Sequence, residues 1–246
     1  MDARPLHAQN RLLASLPDTD FELLSSRMRT VPLLAGTVLH EPGSEVSEVY
    51  FPLAGAVSLG VVLHSSEVVQ AGVVGREGTI GGIAALDGRV GCTRAEVNIE
   101  GRASTVHIGH LRQIAEDSEA LRSLLIRYQE YVLCQAQWTA ACNASHSLKQ
   151  RLCRLLLRFW QTNDHQPLPL TQELLAELLG VSRTSVTVIA HQIGQAGFLR
   201  IRRGHIELLK PEALQDAACE CNERISRHYE MLFGDAPWRS RQQLGA

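Results

Sequence analysis

Three places in this 246-residue chain combine residue types and spacings that could do chemistry. The first is GREGTIGGIAALDGRVGCTR, from Gly75 to Arg94, where Gly75, Gly78, Gly81 and Gly82 precede a small apolar run and a late Arg. Glycine-rich backbone turns tightly and can approach a phosphate closely. The bland reading is a set of β-turns in a strand-rich domain. The second is Ser182, Arg183, Thr184, Ser185 and Thr187, small hydroxyls beside one guanidinium, followed by Arg200, Arg202, Arg203 and His205. Such a group offers donors to base edges and cations to phosphates. The third is the set of six cysteines, Cys92, Cys134, Cys142, Cys153, Cys219 and Cys221. Their spacing contains no CxxC pair. It reads as reduced thiols rather than a disulfide framework. Cys219 and Cys221 form a CxC expected in a helix, pointing to different faces as structural thiols, and no metal-ligand set is expected.

Enzyme chemistry has no foothold. There is no Ser/His/Asp order, no HExxH and no Walker lysine, and GREGTIGG lacks the GK[ST] ending of a P-loop. His40, His64, His107 and His110 fall in or beside the strand-rich part, where a haem ligand is conceivable but an ordinary surface or core histidine is the commoner role.

Composition bounds the elements that must carry these groups. With 45% hydrophobic and 20% charged residues the chain can bury a core. The formal net charge is −2, but residues 149–210 hold nine Lys/Arg against four Asp/Glu. A basic segment behind an acidic front half points to an anionic partner for the second half. No signal peptide is legible at the N-terminus and no run reaches the roughly 18 apolar residues of a membrane span, so a cytoplasmic protein with no membrane partner is the expectation.

Residues 10–30 carry helical spacing interrupted by Pro17, which fits two short helices. From Val31 to about Gly109, short Val/Ile-rich runs alternate with turn residues: TVLHEPG, EVYFPLAGAVSLGVVL, EVVQAGVVG, TRAEVNIEG and RASTVHIG. That texture reads as a sandwich or small barrel. The period then becomes helical, and a long helix is predicted from about Glu119 to Cys142, with NASHS (143–147) as a hinge. Next comes a basic amphipathic helix in which Leu148, Leu152, Leu155, Leu156 and Phe159 share a face and Lys149, Arg151, Arg154 and Arg158 lie largely off it. The tail is read as helical to about Phe233, with GDAPWRSRQQLGA frayed.

The strongest local pattern is LTQELLAELLGVSRTSVTVIAHQIGQAG, 170–197. Leu174, Leu175, Leu178 and Leu179 form one buried stripe, and Ala176 is small where a second helix crosses. Gly180 permits the turn, Val181 plugs it, Ser182 caps the next helix, and Val186, Ile189 and Ile193 point inward. This is a helix-turn-helix pattern. GFLRIRRGHIELL then reads as a two-stranded wing turning near Arg203–Gly204.

In this order of parts the chain resembles the Crp/Fnr family of bacterial transcription regulators along nearly its whole length. EPGSEVSEVYFPLAGAVSL (41–59) is similar to the family's early β-roll, and 170–208 to its DNA-binding segment. The resemblance implies an α+β fold: an N-terminal antiparallel, jelly-roll-like β-roll effector domain with N-terminal helices (1–109), a long dimerisation helix and hinge (110–146), and a C-terminal winged helix-turn-helix with a helical tail (147–246). It implies a homodimer on double-stranded DNA with two-fold-related half-sites, with RNA polymerase as a further candidate partner. The expected DNA-binding residues are Ser182, Arg183, Thr184, Ser185, Thr187, Arg202, Arg203 and His205, and the residues of a possible effector pocket are Gly81, Gly82, Cys92, Thr93 and Arg94.

The departures from the family pattern are informative. Cyclic-nucleotide-binding members carry a Gly-Glu pair for the ribose and an Arg-Ser pair for the cyclic phosphate. Here those positions read Gly81-Gly82 and Cys92-Thr93, with Arg94 able to stand in for the Arg only after a register shift. Where such members read the base, this chain has Gln135, Gln137, Trp138 and Thr139. The N-terminal cysteine cluster of oxygen-sensing members is missing, since the first cysteine is Cys92. In the recognition helix, Arg183 keeps the family's first Arg, Thr184 replaces a Glu and Val188 stands in place of a second Arg, which predicts a different half-site. The expectation is a regulator that does not depend on cyclic AMP, has no cofactor and has an unidentified effector. The alternatives are a signalling module acting mainly through protein contacts, or a cyclic-nucleotide- or haem-responsive regulator.

Overall fold

The computed structural model describes residues 4–87, 90–202 and 204–234. The chain divides into two compact units at Glu130/Tyr131, and each is built on its own core.

The first unit opens with three short helices, α1 (Arg4–His7), α2 (Arg11–Ala14) and α3 (Asp18–Ser25). Asn10 caps α2 by accepting from the Leu13 N–H, and its amide donates to the Pro52 and Gly78 carbonyls. One buried side chain thus ties the helix start to the sheet and to the glycine-rich segment. The strands are β1 (Arg29–Leu33), β2 (Val38–His40), β3 (Glu48–Val62), β4 (Val68–Val74) and β5 (Arg94–His107). They form one antiparallel sheet in the order β1-β5-β3-β4, with β2 also on β5.

The runs TRAEVNIEG and RASTVHIG, separated by a turn in the sequence reading, are one continuous strand. Gly101 is there for proximity rather than for turning: a Cβ at this position would collide with the Ala54 carbonyl of β3. Bulges in β3 between Pro52 and Val57 absorb the mismatch and curl the long pair. Val49, Phe51, Val57, Val73, Ile99 and Val106 are buried in the core of the roll. Helix α4 (Ile108–Asp117) follows β5 directly, with its buried Leu111 and Ile114, and a single non-helical residue, Ser118, separates it from α5 (Glu119–Ser145).

Helix α5 extends further than predicted. It keeps Asn143–Ser145, so the interruption before the next helix shrinks from NASHS to His146–Ser147. Ser147 and Gln150 make a reciprocal capping box that starts α6 (Leu148–Thr162), which explains why the break falls there.

In the second unit α6 is central. Leu152, Leu155, Leu156, Leu157 and Phe159 are buried, and so are Arg154 and Arg158. The prediction that these two arginines lie off the buried face is therefore corrected: α6 is enclosed on several sides, and their aliphatic stems count as core. Around it stand α7 (Gln172–Leu179), α8 (Arg183–Gln195), the hairpin β6 (Leu199–Arg202) and β7 (His205–Leu208), α9 (Pro211–Ala217) and α10 (Cys221–Phe233). Leu168 bridges Ile206 with reciprocal 2.8 Å backbone bonds, tying the loop before α7 to the hairpin. Arg203, and the tail from 235 onward that was read as frayed, lie outside the described residues. Among the described residues no helix is long and apolar enough to cross a membrane.

Candidate nucleic-acid interface

Local sequence dictates the geometry of the α7–α8 pair. Thr171 caps α7 by accepting from the Leu174 N–H. The helix ends on Gly180 in the left-handed region, φ 62°, where a side chain would be strained. The Gly180 and Val181 N–H groups return to the Glu177 and Ala176 carbonyls, both at 3.0 Å, and the Arg151 guanidinium closes the same helix end by donating to the Leu179 carbonyl at 2.6 Å. Ser182 then caps α8, accepting from the Ser185 N–H at 3.2 Å.

The face of α8 that turns inward is Val186, Ala190 and Ile193. Ile189, expected on that face, is half-buried instead. Ser182, Arg183, Thr184 and Thr187 are exposed, and Ser185 is half-buried at the cap. Arg183 is held lightly at 3.4 Å from the Glu173 carboxylate. The Thr187 hydroxyl donates to Gln172 Oε1 at 2.7 Å. Val188, read as standing in place of a second Arg, is exposed, and His191 and Gln192, absent from the expected set, continue the exposed face of α8 with it; half-buried Gln172 of α7, also absent from that set, lies beside Thr187. The helical period was available to find His191 and Gln192. Gln172 depends on how α7 crosses α8. In the wing, Arg202 pairs with His205 across the ladder and both are exposed, while Gly204 makes the turn at φ 77°. Arg200 is exposed too and pairs with Glu207 at 3.3 Å.

The second candidate region is in the β-roll. Gly81 sits at φ 82°, and Gly82 starts a 3₁₀ turn, Gly82–Leu86. A Cβ on Gly82 would lie 2.7 Å from Thr79 Cγ2 and 2.9 Å from Leu125 Cδ2, and one on Gly81 would lie 2.5 Å from the His40 ring. The ground beside these glycines is already filled. Cys92 is exposed, Thr93 is half-buried, and Arg94 opens β5 with its guanidinium on the Glu41 carboxylate, Nε at 3.0 Å and Nη2 at 2.9 Å. A cleft of about 290 Å³ nearby is lined by residues of 38–50, among them His40, Glu41, Glu45 and Glu48, and is acidic rather than anion-binding. Two of the four histidines weighed as haem ligands have other roles: His40 Nε2 bonds the Glu48 carbonyl at 3.0 Å, and His107 caps α4 by accepting from the Gly109 N–H.

Of the residues set against base reading on the long helix, Gln137 is exposed and the other three are packed into the protein. Gln135 and Thr139 are buried, and Thr139 Oγ1 accepts from Arg154 at 3.5 Å. Trp138 packs on Cys142, Cys219 and Cys221. The CxC itself departs from expectation. It spans the link from α9 into α10 rather than lying within a helix, and its two sulfurs converge instead of pointing apart.

Comparison with known proteins agrees with this geometry. Residues 150–217 match the Crp-like helix-turn-helix domain. No curated protein matches the chain in sequence. Among solved structures, the chain is similar to TTHA1359, a CRP/FNR-family transcriptional regulator of Thermus thermophilus, at 25% identity and TM-score 0.64, covering 77% of this chain and 98% of that one. It is similar to FixK2 of Bradyrhizobium japonicum at 15% identity and TM-score 0.67, covering 78% and 98%. A third is CLP of Xanthomonas campestris, a c-di-GMP-responsive global regulator, at 15% identity and TM-score 0.64, covering 78% and 99%.

Proposed function

From a Crp/Fnr-type transcription-regulator fold with a helix-turn-helix DNA-binding domain, we propose that the protein acts in the cytoplasm as a homodimer on two-fold-related DNA half-sites, without dependence on cyclic AMP. The observation that carries the reading is the division of α8. Val186, Ala190 and Ile193 anchor it, while Ser182, Arg183, Thr184 and Thr187 face solvent at its N-terminal end beside a basic hairpin. A helix so mounted enters a major groove end-first, with Arg183 on a guanine edge and the threonines on thymine methyls or mixed acceptors. Arg200, Arg202 and His205 meet phosphates.

Dimerisation is supported by α5, where Ile126 and Leu133 are 56% and 54% exposed and stand seven residues apart, the spacing of a coiled-coil seam. Independence from cyclic AMP is supported by Gly82, which offers no ribose-binding carboxylate and whose Cβ position is crowded by Thr79 and Leu125, and by Arg94, whose guanidinium Glu41 already holds.

The test is selection from random DNA followed by footprinting at about 150 mM salt. A two-fold-repeated motif protected by a dimer, with or without cyclic AMP, is the expected result. Binding that does not distinguish the selected site from random DNA overturns it.

A further inference from the structure

Cys142, His146, Cys219 and Cys221 have all four donor atoms within 4.8 Å of one another, and all belong to the second unit. Cys142 lies on the last turn of α5 and His146, four residues on, is the first residue past the helix end, where its N–H still bonds the Cys142 carbonyl at 3.0 Å and keeps both side chains on one face. Cys219 and Cys221 come from the α9–α10 link, 77 residues further along the chain. The Cys142 and Cys219 sulfurs are 3.4 Å apart, and Cys221 Sγ lies 3.6 Å from His146 Nδ1. Four donors around one zinc ion, with Zn–S about 2.3 Å and Zn–N about 2.0 Å, stand about 3.5–3.8 Å apart along tetrahedral edges. Two of the donor separations are close to those edges and all lie within 4.8 Å, so small side-chain shifts close the four donors on one ion.

Two further features point to the same occupant. His146 Nε2 faces the Glu220 carboxylate at 3.3 Å, so a neutral ring donating there presents its Nδ1 lone pair to the sulfurs. This is the carboxylate–histidine arrangement that orients metal-bound imidazoles. Arg154, only 5% exposed, meets no carboxylate among the described residues and makes no hydrogen bond at Nε, and its positive charge favours the thiolate forms of Cys142, Cys219 and Cys221. Three thiolates, one imidazole and a divalent ion leave a net charge of about −1, which this buried guanidinium would balance.

We propose that Cys142, His146, Cys219 and Cys221 bind a single thiophilic divalent cation, of which zinc is the type, clamping the α9–α10 link to the end of α5. Binding replaces the three thiol protons, which leave to solvent, and involves no redox change. All four positions are protein ligands, so the site is closed and structural rather than catalytic. Its evidence is independent of the DNA-binding reading.

The test begins with metal analysis of the untagged full-length protein, purified anaerobically. About one zinc per chain is expected. Replacement by Co²⁺ should give the strong visible bands of tetrahedral thiolate coordination. Cys142→Ser and Cys221→Ser should lower zinc occupancy at least tenfold, while Cys92→Ser keeps it. If those variants fold poorly, His146→Cys retains the metal with a shifted Co²⁺ spectrum, and Glu220→Gln weakens affinity about 10–100-fold. Wild-type protein that carries no metal and gives no tetrahedral Co²⁺ spectrum, a Cys142–Cys219 disulfide in its place, or equal metal loss in Cys92→Ser would each overturn the proposal.

Discussion

Glu41 grips Arg94 with both carboxylate oxygens, at 3.0 Å from Nε and 2.9 Å from Nη2. The pair joins the loop after β2 to the first residue of β5 and occupies the only guanidinium that the effector-pocket reading had put forward. Both side chains are partly exposed, so Arg94→Ala should cost the first unit no more than about 1 kcal/mol. It should leave cyclic AMP titrations as flat as those of the parent protein. Calorimetric titration with thermal unfolding checks both.

Writing the missing carboxylate back in should not restore a nucleotide site. In Gly82→Glu the new Cβ meets Thr79 and Leu125 at under 3 Å, so overpacking should cost about 1–3 kcal/mol. The measurement is a chemical denaturation midpoint with and without cyclic AMP. A stable variant that binds the nucleotide would mean the pocket is open after all.

Arg183→Ala should lose discrimination at one base pair of each half-site, about 1–3 kcal/mol, while retaining binding to random DNA. Arg202→Ala should weaken all sequences alike and flatten the salt dependence. Competition gel shifts over a salt series separate the two outcomes. Unchanged site preference in Arg183→Ala would mean that α8 does not enter the groove as described.

A charge on the exposed seam of α5 should split the dimer. Ile126→Glu with Leu133→Glu removes two exposed apolar contacts without touching a buried one. Light scattering should show a monomer that is folded by circular dichroism and binds a full site far more weakly, since the two half-sites are no longer engaged together.

Acid should weaken the first unit. His7 is buried with Nδ1 2.6 Å from the Ser104 hydroxyl, and burial lowers its pKa below the ordinary 6.5; burial does the same to His40, partly offset by its bond to the Glu48 carbonyl. Well above pH 6.5 both rings are neutral whether folded or unfolded. As pH falls below 6.5 the unfolded chain takes up protons first, so stability declines until the lowered folded-state pKa values are passed. Melting temperatures across this range should fall with pH, and His7→Gln should make the slope shallower.

Much of the second unit was legible in the sequence because its signals are local. LGVS marks a turn and a cap within four residues, the wing turn follows within a short span, and helical spacing says which face is apolar. The long strands were harder to read. Gly101 has the look of a turn in TRAEVNIEG–RASTVHIG, and only the proximity of Ala54 shows it to be a mid-strand contact. Charge misled in α6, since nothing in the local pattern of Arg154 and Arg158 says that the helix is surrounded.

By itself, then, the sequence determined the helix-turn-helix, its cap, its wing and the loss of the ribose carboxylate, all properties of neighbours in the chain. Tertiary structure alone decided that Arg94 is held by Glu41, 53 residues away, and that Cys142 and His146 meet Cys219 and Cys221. The reason is physical. Capping and helical period act over a few residues, whereas ion pairing and ligand convergence depend on where folding brings distant segments together, and no spacing rule encodes that.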